Sequence, residues 1–304
     1  MQTLDLVERF LRYTALEKGR SANTVEAYRR DLTKWAQFLG DKTFETLKPE
    51  NVTEFIESQR IAGLASDSIT RSLSTIRSFH RFAVAEGVTE IDPTGAIAAP
   101  SRAMRLPKAL TVEQVSAMLD SIPLDTPIGL RDKAVLELMY ATGARVSEIA
   151  SLVVDDVLDD GIQEFITVTG KGNKQRIVPV GSFAREALSN YLVRSRPALA
   201  QKGKGSPSLF LGARGDALSR QNIFLIIRLA ADRAGIEAKV SPHTLRHSCA
   251  THLLRGGADI RVVQELLGHA SVSTTQIYTL VTRDALNEAF RMAHPRARAK
   301  PPAV

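Results

Sequence analysis

The stretch SPHTLRHSCATHLLRGGADIRVVQELLGHASVSTTQIYT, Ser241 to Thr279, dictates its local structure more firmly than any other part of the chain. Ser241 offers a capping hydroxyl, and Pro242 brings the fixed φ that suits a first helical position. Gly256-Gly257 ends that helix. Ile260, Val262, Val263, Leu266 and Leu267 then predict a second, short helix closed by Gly268. On the first helix His243 and Arg246 are three apart and His247 is four from His243, so the three share one face. Leu245, Ala250, Leu253 and Leu254 are left to hold the opposite side in a core. His269 follows the glycine stop directly, and Tyr278 comes nine residues later. Taken singly, a helix-face histidine is more often a hydrogen-bonded core residue, and such a tyrosine half-buried packing. Gathered on one buried face, a guanidinium, imidazoles and a phenol must satisfy each other or a ligand. An anion such as a phosphate suits that mixture.

Charge placement agrees. Of the 40 Lys/Arg and 33 Asp/Glu, residues 1–92 hold 13 and 14, which leaves 27 and 19 for the remainder. The second part of the chain therefore carries the whole of the net +7 and suits a polyanion, although an ordinary solvated basic surface accounts for the charge alone. Cys249 is the only cysteine, which excludes an internal disulfide and a thiolate metal cluster. No apolar run approaches the ~18 residues a membrane helix needs, the strongest being cut by Arg228. Asp5 and Glu8 stand where a signal peptide would be cationic, so a cytoplasmic location with no membrane is expected.

The first ninety residues read as a bundle of helices. Leu4, Val7, Phe10 and Leu11 mark one apolar face. Val25, Tyr28, Leu32, Trp35 and Leu39 mark a second behind the candidate caps Ser21 and Asn23. Val52, Phe55 and Ile56 follow Pro49, and Ile69, Leu73, Ile76, Phe79 and Ala83 lead to Gly87. Arg71, Arg77 and Arg81 on the fourth helix are candidate DNA-backbone contacts, with a solvated face as the commoner explanation. Asp92-Pro93, Pro100 and Pro107 then bracket a segment carrying Arg102, Arg105 and Lys108 and no acid. Prolines keep such a segment extended. Its cations are candidate DNA contacts too, and an ordinary tether explains them as well. The expected division is thus 1–92 for the helical domain, 93–109 for a basic linker, 110–294 for a second domain and 295–304 for a basic tail.

The second domain opens with a capping box, Thr111-x-x-Gln114. LRDKAVLELMYATGARVSEIASL reads as helix, break at Gly143, helix, with Arg145 just past the break and Glu148 one turn on. At a surface this pair is worth little; at the edge of a cleft it would fix the guanidinium fork. Phe165–Val168 and Arg176–Val180 form a predicted β-hairpin with Lys171 on its turn. A helix from Ala184 to Val193, a short strand Leu209–Leu211 and a helix through Ile223 and Ile227 follow. A last helix spans Asp284–Met292. The fold class is mainly α with a small β-hairpin (α+β).

The motifs ATGARVSEIASL, TGKGNKQRIVPV, SPHTLRHSCATHLL, LGHASVSTTQIY and NTVEAYRRDL resemble the tyrosine recombinase (phage integrase) family, and within it the Xer group, across nearly the full length. Ala144 and Cys249 depart from the family's usual Leu and Phe and read as packing changes. The resemblance implies a SAM-like core-binding first domain and a catalytic second one. It implies that Arg145, Lys171, His243, Arg246, His269 and Tyr278 form the catalytic set, with Glu148 in support. Tyr278 would be the nucleophile that forms a 3′-phosphotyrosine, His243 the base, Lys171 the acid at the 5′-oxygen, and His269 a donor to the phosphate. Neither cofactor nor metal is implied. The implied partners are double-stranded DNA at a recombination site, a tetramer on that DNA, a XerC-like partner recombinase and an FtsK-like translocase, with the 284–292 helix docking on a neighbour. Alternatives within the family are a phage or plasmid integrase or a XerC-like paralogue; rival readings outside it are a hydrolase with a metal on His243 and His247, which Arg246 disfavours, a non-catalytic DNA-binding protein, and a type IB topoisomerase.

Overall fold

The computed structural model describes residues 3–40, 42–95, 97, 109–159, 161–162, 164–170, 174–268 and 283–297. The chain forms two compact units, Met1–Arg105 and Leu106–Val304. It is mainly helical, as the periodicities predict, and among the described residues β-structure is confined to two short antiparallel pairs. None of the described helices is long and apolar enough to cross a membrane.

The first unit is a four-helix bundle of α1 (Thr3–Leu16), α2 (Ala22–Leu39), α3 (Pro49–Ile61) and α4 (Ser66–Ala85). Ser21, not Asn23, caps α2, and Pro49 opens α3 at its first position. The predicted apolar faces meet in an aromatic core. Trp35 is fully buried, stands edge-on to Phe55 at 5.1 Å and donates its Nε1–H to His80 Nε2 at 3.2 Å. Phe10 packs on Phe79 and Phe82 at 5.6 and 5.4 Å. Each such burial contributes roughly 1.5–3 kcal/mol. Leu4 is the exception on its face, 57% exposed. Residues past 92 begin inside this unit: Pro93 and Thr94 are buried, and the Ile97 carbonyl accepts from Arg77.

The second unit is built around α6 (Pro127–Thr142), an apolar helix buried on most of its circumference. α5 (Val112–Asp120) precedes it behind the expected capping box, with Gln114 N–H on Thr111 Oγ1 and Thr111 N–H on Gln114 Oε1. After α7 (Val146–Ser151) come the short pair β1 (Leu158–Asp159) and β2 (Gly161–Ile162). The hairpin follows, β3 (Phe165–Thr169) with β4 (Gln175–Pro179), in register Phe165↔Pro179 to Thr169↔Gln175. The remaining helices are α8 (Ser182–Arg194), α9 (Arg196–Ala200), α10 (Arg220–Arg233), α11 (Pro242–Arg255), α12 (Ile260–Leu267) and α13 (Arg283–Ala293). The strand expected at Leu209–Leu211 is only a buried link with isolated bridges from Ser208 to Val153 and from Leu211 to Ala217.

α11 is held inward by polar groups as much as by Leu245, Cys249 and Leu253. Ser248 Oγ accepts the Leu110 N–H at 2.9 Å, and His252 Nε2 meets the Leu110 carbonyl at 2.8 Å. That bond makes Nε2 the protonated nitrogen, leaving Nδ1 to accept from the Tyr140 hydroxyl at 2.7 Å. With those positions polar, Leu254 lies on the solvent side, 42% exposed, against expectation.

α13 packs its apolar face on its own unit. Leu286, Phe290 and Ala293 are buried in their own unit, and Ala293 backbone lies so close to Gly256 that a Cβ there would meet it at 2.3 Å. Arg296, expected as a tail charge, is an internal anchor. Its Nη2 donates to Glu137 Oε1 at 2.7 Å, and its guanidinium sits 3.9 Å from the Phe183 ring centre.

Candidate active site

Two glycine stops shape the site. α6 ends at Gly143 with φ 57°, where a Cβ would come within 2.6 Å of Leu267 Cδ2 and 3.2 Å of Cys249 Sγ. Backbone and space both require glycine there. The chain leaves this turn straight into Arg145, the N-cap of α7. α12 ends in the same way at Gly268, φ 64°.

The end of α12 gathers three arginines on three consecutive carbonyls. Leu266 O accepts from Arg176 Nε at 2.8 Å, Leu267 O from Arg246 Nη2 at 2.5 Å, and Gly268 O from Arg145 Nη2 at 3.1 Å. The last carbonyls of a helix lack intrahelical partners and carry the negative end of its dipole, so cations belong there. Arg246 is fixed a second time through Nη1 to the Gly143 carbonyl at 2.7 Å. Both turns that close helices thus aim the same guanidinium.

Glu148 joins the cluster from behind, 2% exposed. Its Oε2 takes the Arg145 backbone N–H and Arg176 Nη2, both at 2.8 Å. Its Oε1 takes Arg145 Nη1 at 2.8 Å and Arg176 Nη1 at 3.0 Å. Burial alone would raise the carboxyl's pKa, but the bonds from Arg176 and Arg145 outweigh it and hold it below its ordinary value. Arg246 is pulled from 12.5 down to about 10, first by burial, then by the charges of Arg145 and Arg176. It stays charged at neutral pH. Three guanidiniums stand near one carboxylate, which bonds two of them, a surplus of positive charge suited to a phosphate.

His243 and His247 share one face of α11 with Arg246, as their spacing predicts, but both histidines are exposed, so this is not the buried face expected: Thr244, Ser248 and His252 take the inner side. Lys171, His269 and Tyr278 lie outside the described residues, as do Arg102, Arg105 and Lys108. Of the first unit's candidates, Arg71 pairs with the buried Asp31, which also accepts from Thr75 Oγ1 at 3.1 Å. Arg77 is committed to Ile97, and Arg81 is exposed. Among the described residues no group of three His, Cys, Asp or Glu side chains is placed to hold a metal. Arg176 is the site residue that sequence reasoning missed. A cation in a β-patterned run reads as solvent-facing, yet its side chain is only 9% exposed.

The model described as "Phage integrase family" matches residues 108–284, and "Phage integrase, N-terminal SAM-like domain" matches residues 7–87. The chain is 49% identical to tyrosine recombinase XerD of Mycobacterium tuberculosis (strain ATCC 25618 / H37Rv), over 98% of this chain and 100% of the relative. It is 46% identical to the XerD of Corynebacterium glutamicum, over 98% and 100%. Among solved structures, XerH site-specific recombinase bound to palindromic difH substrate aligns with a TM-score of 0.71 at 23% identity, over 95% of each chain. Lambda integrase (residues 75–356) bound to DNA aligns with a TM-score of 0.70 at 19% identity, over 91% of this chain and 95% of that one. These two likenesses are of fold. The sequence matches carry the kinship: the chain belongs to the phage integrase family and is a tyrosine recombinase.

Proposed function

We propose that the protein is a XerD-like site-specific recombinase that cuts and rejoins double-stranded DNA at a recombination site, resolving chromosome dimers at cell division. Supporting the reading is the convergence of Arg145 and Arg246 on adjacent carbonyls, Gly268 and Leu267, which brings two planar forks to one place. Among the described residues each fork spends two hydrogen bonds on the protein, out of five N–H donors. The others are available to the nonbridging oxygens of a scissile phosphate, and to the charge that grows on them in the pentacoordinate state.

In this reading Tyr278 attacks phosphorus, a P–O bond to its phenol forms, and the bond to the 5′-oxygen breaks. A phenol of pKa about 10 costs ~4 kcal/mol to ionise at pH 7. His243 takes its proton, and the two guanidiniums stabilise the charge that moves onto phosphate. Lys171 delivers a proton to the departing 5′-oxygen, and His269 donates to the phosphate. The phosphotyrosine ester conserves the bond energy, so the 5′-hydroxyl of a partner strand reverses the step without ATP or metal. Arg71, Arg77, Arg81, Arg102, Arg105 and Lys108 would neutralise backbone phosphates of the duplex. The working assembly is a tetramer on DNA with a XerC-like partner and an FtsK-like translocase, in the cytoplasm.

A nicked duplex that traps the covalent intermediate, incubated in EDTA, tests this reading. Wild type should give a protein–DNA adduct on this trap and strand exchange between intact sites, while Tyr278→Phe binds the same DNA and gives neither. No adduct from wild type would overturn the assignment. Adduct on the trap, with relaxation of a supercoiled plasmid but no exchange between intact sites, would point to a topoisomerase.

A further inference from the structure

Three arginines meet at the end of α12, and the catalytic reading uses only two. The third, Arg176, has a side chain only 9% exposed and faces the protein. Its fork lies flat against both oxygens of Glu148, at 2.8 and 3.0 Å, while Nε holds the Leu266 carbonyl at 2.8 Å. Glu148 in turn takes both the backbone N–H and Nη1 of Arg145, whose side chain is 38% exposed. The bonds therefore run inward from a solvent-facing guanidinium, through a buried carboxylate, to a buried guanidinium and a helix end.

We infer that Arg176 is a positioning residue for strand cleavage: by fixing Glu148 from behind, it fixes the plane in which Arg145 presents its fork to the scissile phosphate. A carboxylate with Arg145 as its sole partner would be left to follow that side chain toward solvent. Held by a bidentate partner and by the α12 carbonyl, it becomes a rigid reference for both the cap of α7 and the fork. Charge points the same way. Two cations on Glu148 leave Arg145 its own positive charge, where one would be largely neutralised by its partner. The inference rests on the reading of Arg145 as a phosphate clamp.

The test uses the full chain and two trapping duplexes, one with an ordinary scissile phosphodiester and one with a methylphosphonate, in which a methyl group replaces a charged nonbridging oxygen. A clamp for charge matters less on the neutral substrate. Arg145→Ala, the control, should lose much activity on the diester and little on the methylphosphonate. Arg176→Gln should bind DNA like wild type and cut the diester roughly tenfold to a hundredfold more slowly, less than the 10²–10³ that loss of a direct donor costs. On the methylphosphonate its deficit should shrink to about threefold or less. Should Arg176→Gln not fold, Arg176→Lys carries the same comparison, since it keeps the charge and loses the fork. An equal loss on both substrates would make Arg176 merely structural, and no loss on either would remove it from the reaction; both outcomes overturn the inference. If the Arg145→Ala deficit fails to shrink on the methylphosphonate, the clamp reading itself fails, and that result is separate from the other two.

Discussion

Arg246→Lys is the substitution that asks most of the proposed chemistry, because it keeps the charge and removes the shape. Arg246 spans two carbonyls that belong to different helix ends, Gly143 at 2.7 Å and Leu267 at 2.5 Å, using one terminal nitrogen for each. An ammonium is a single point donor and does not reproduce two terminal nitrogens, each seated on its own carbonyl. At least one charged hydrogen bond is lost, worth about 1.5–3 kcal/mol, and its carbonyl is left in a half-buried site. The outward donors lose their planar register as well, and a missing oxyanion donor costs about 2.7–4 kcal/mol, or 10²–10³ in rate. Burial and the neighbouring charges of Arg145 and Arg176 already pull this group to about 10. The same surroundings would draw a lysine, which starts from ~10.4, down toward the working pH. The variant should therefore cleave a trapping duplex more than about a hundredfold more slowly, and its deficit should widen as pH rises because its ammonium discharges. Single-turnover adduct formation at saturating DNA measures both effects. A variant within about threefold of wild type, less than about 0.7 kcal/mol, would refute the argument that Arg246 acts through its fork.

Three other outcomes follow from the packing. Gly143→Ala forces a left-handed φ of 57° on a residue with a Cβ, costing about 1–2 kcal/mol before its contact with Leu267; thermal unfolding should show the loss, and cleavage should fall even where the variant is folded, because the carbonyl holding Arg246 moves. Arg296→Gln leaves Glu137, 1% exposed, with Lys133 at 3.0 Å as its remaining cation; urea unfolding should fall by about 3 kcal/mol, and a loss below about 1 would show that the ion pair is dispensable. His80 is held down to about 4 from 6.5 by burial, only partly opposed by Asp92, so the folded first unit takes up a proton less readily than the unfolded chain. Its stability is intact above pH 6.5 and falls as pH drops toward 4, by about 2 kcal/mol at pH 5. The single tryptophan, Trp35, donates to His80 and reports the transition by fluorescence; His80→Gln should flatten this pH dependence.

Helices were legible where apolar residues alone decide which side is buried. The period of Ile69, Leu73, Ile76, Phe79 and Ala83 predicts α4, and all five are buried. α11 is different. It buries Thr244, Ser248 and His252 and leaves Leu254 exposed, because hydrogen bonds to Leu110 and Tyr140 replace apolar contact on its inner side. A hydropathy pattern has no means of registering such bonds. The pair Arg145 and Glu148 was visible from its spacing of three. Arg176 was not, since its partner Glu148 lies 28 residues away and its other acceptor is a backbone carbonyl. Any residue supplies a carbonyl, so nothing in the letters marks Leu266, Leu267 and Gly268 as the seats of three arginines. The glycine stops could be read; what their carbonyls hold could not.

That seating also explains how so concentrated a positive charge persists in a folded chain. Guanidiniums near one another repel, and the lowered pKa of Arg246 records both that repulsion and the loss of water. One buried carboxylate cannot neutralise three cations. The end of α12 adds a partial negative charge, each favourable contact with it being worth about 0.3–1 kcal/mol and up to ~2 where partly buried. Even so, the cluster retains a surplus that an incoming phosphate would relieve. A site strained in that direction binds an anion more strongly as the anion's charge grows, which is what happens at phosphorus when a nucleophile adds. The repulsion among Arg145, Arg176 and Arg246 is therefore part of the device. Replacing any one of the three arginines by a neutral residue would ease the repulsion and weaken the catalyst.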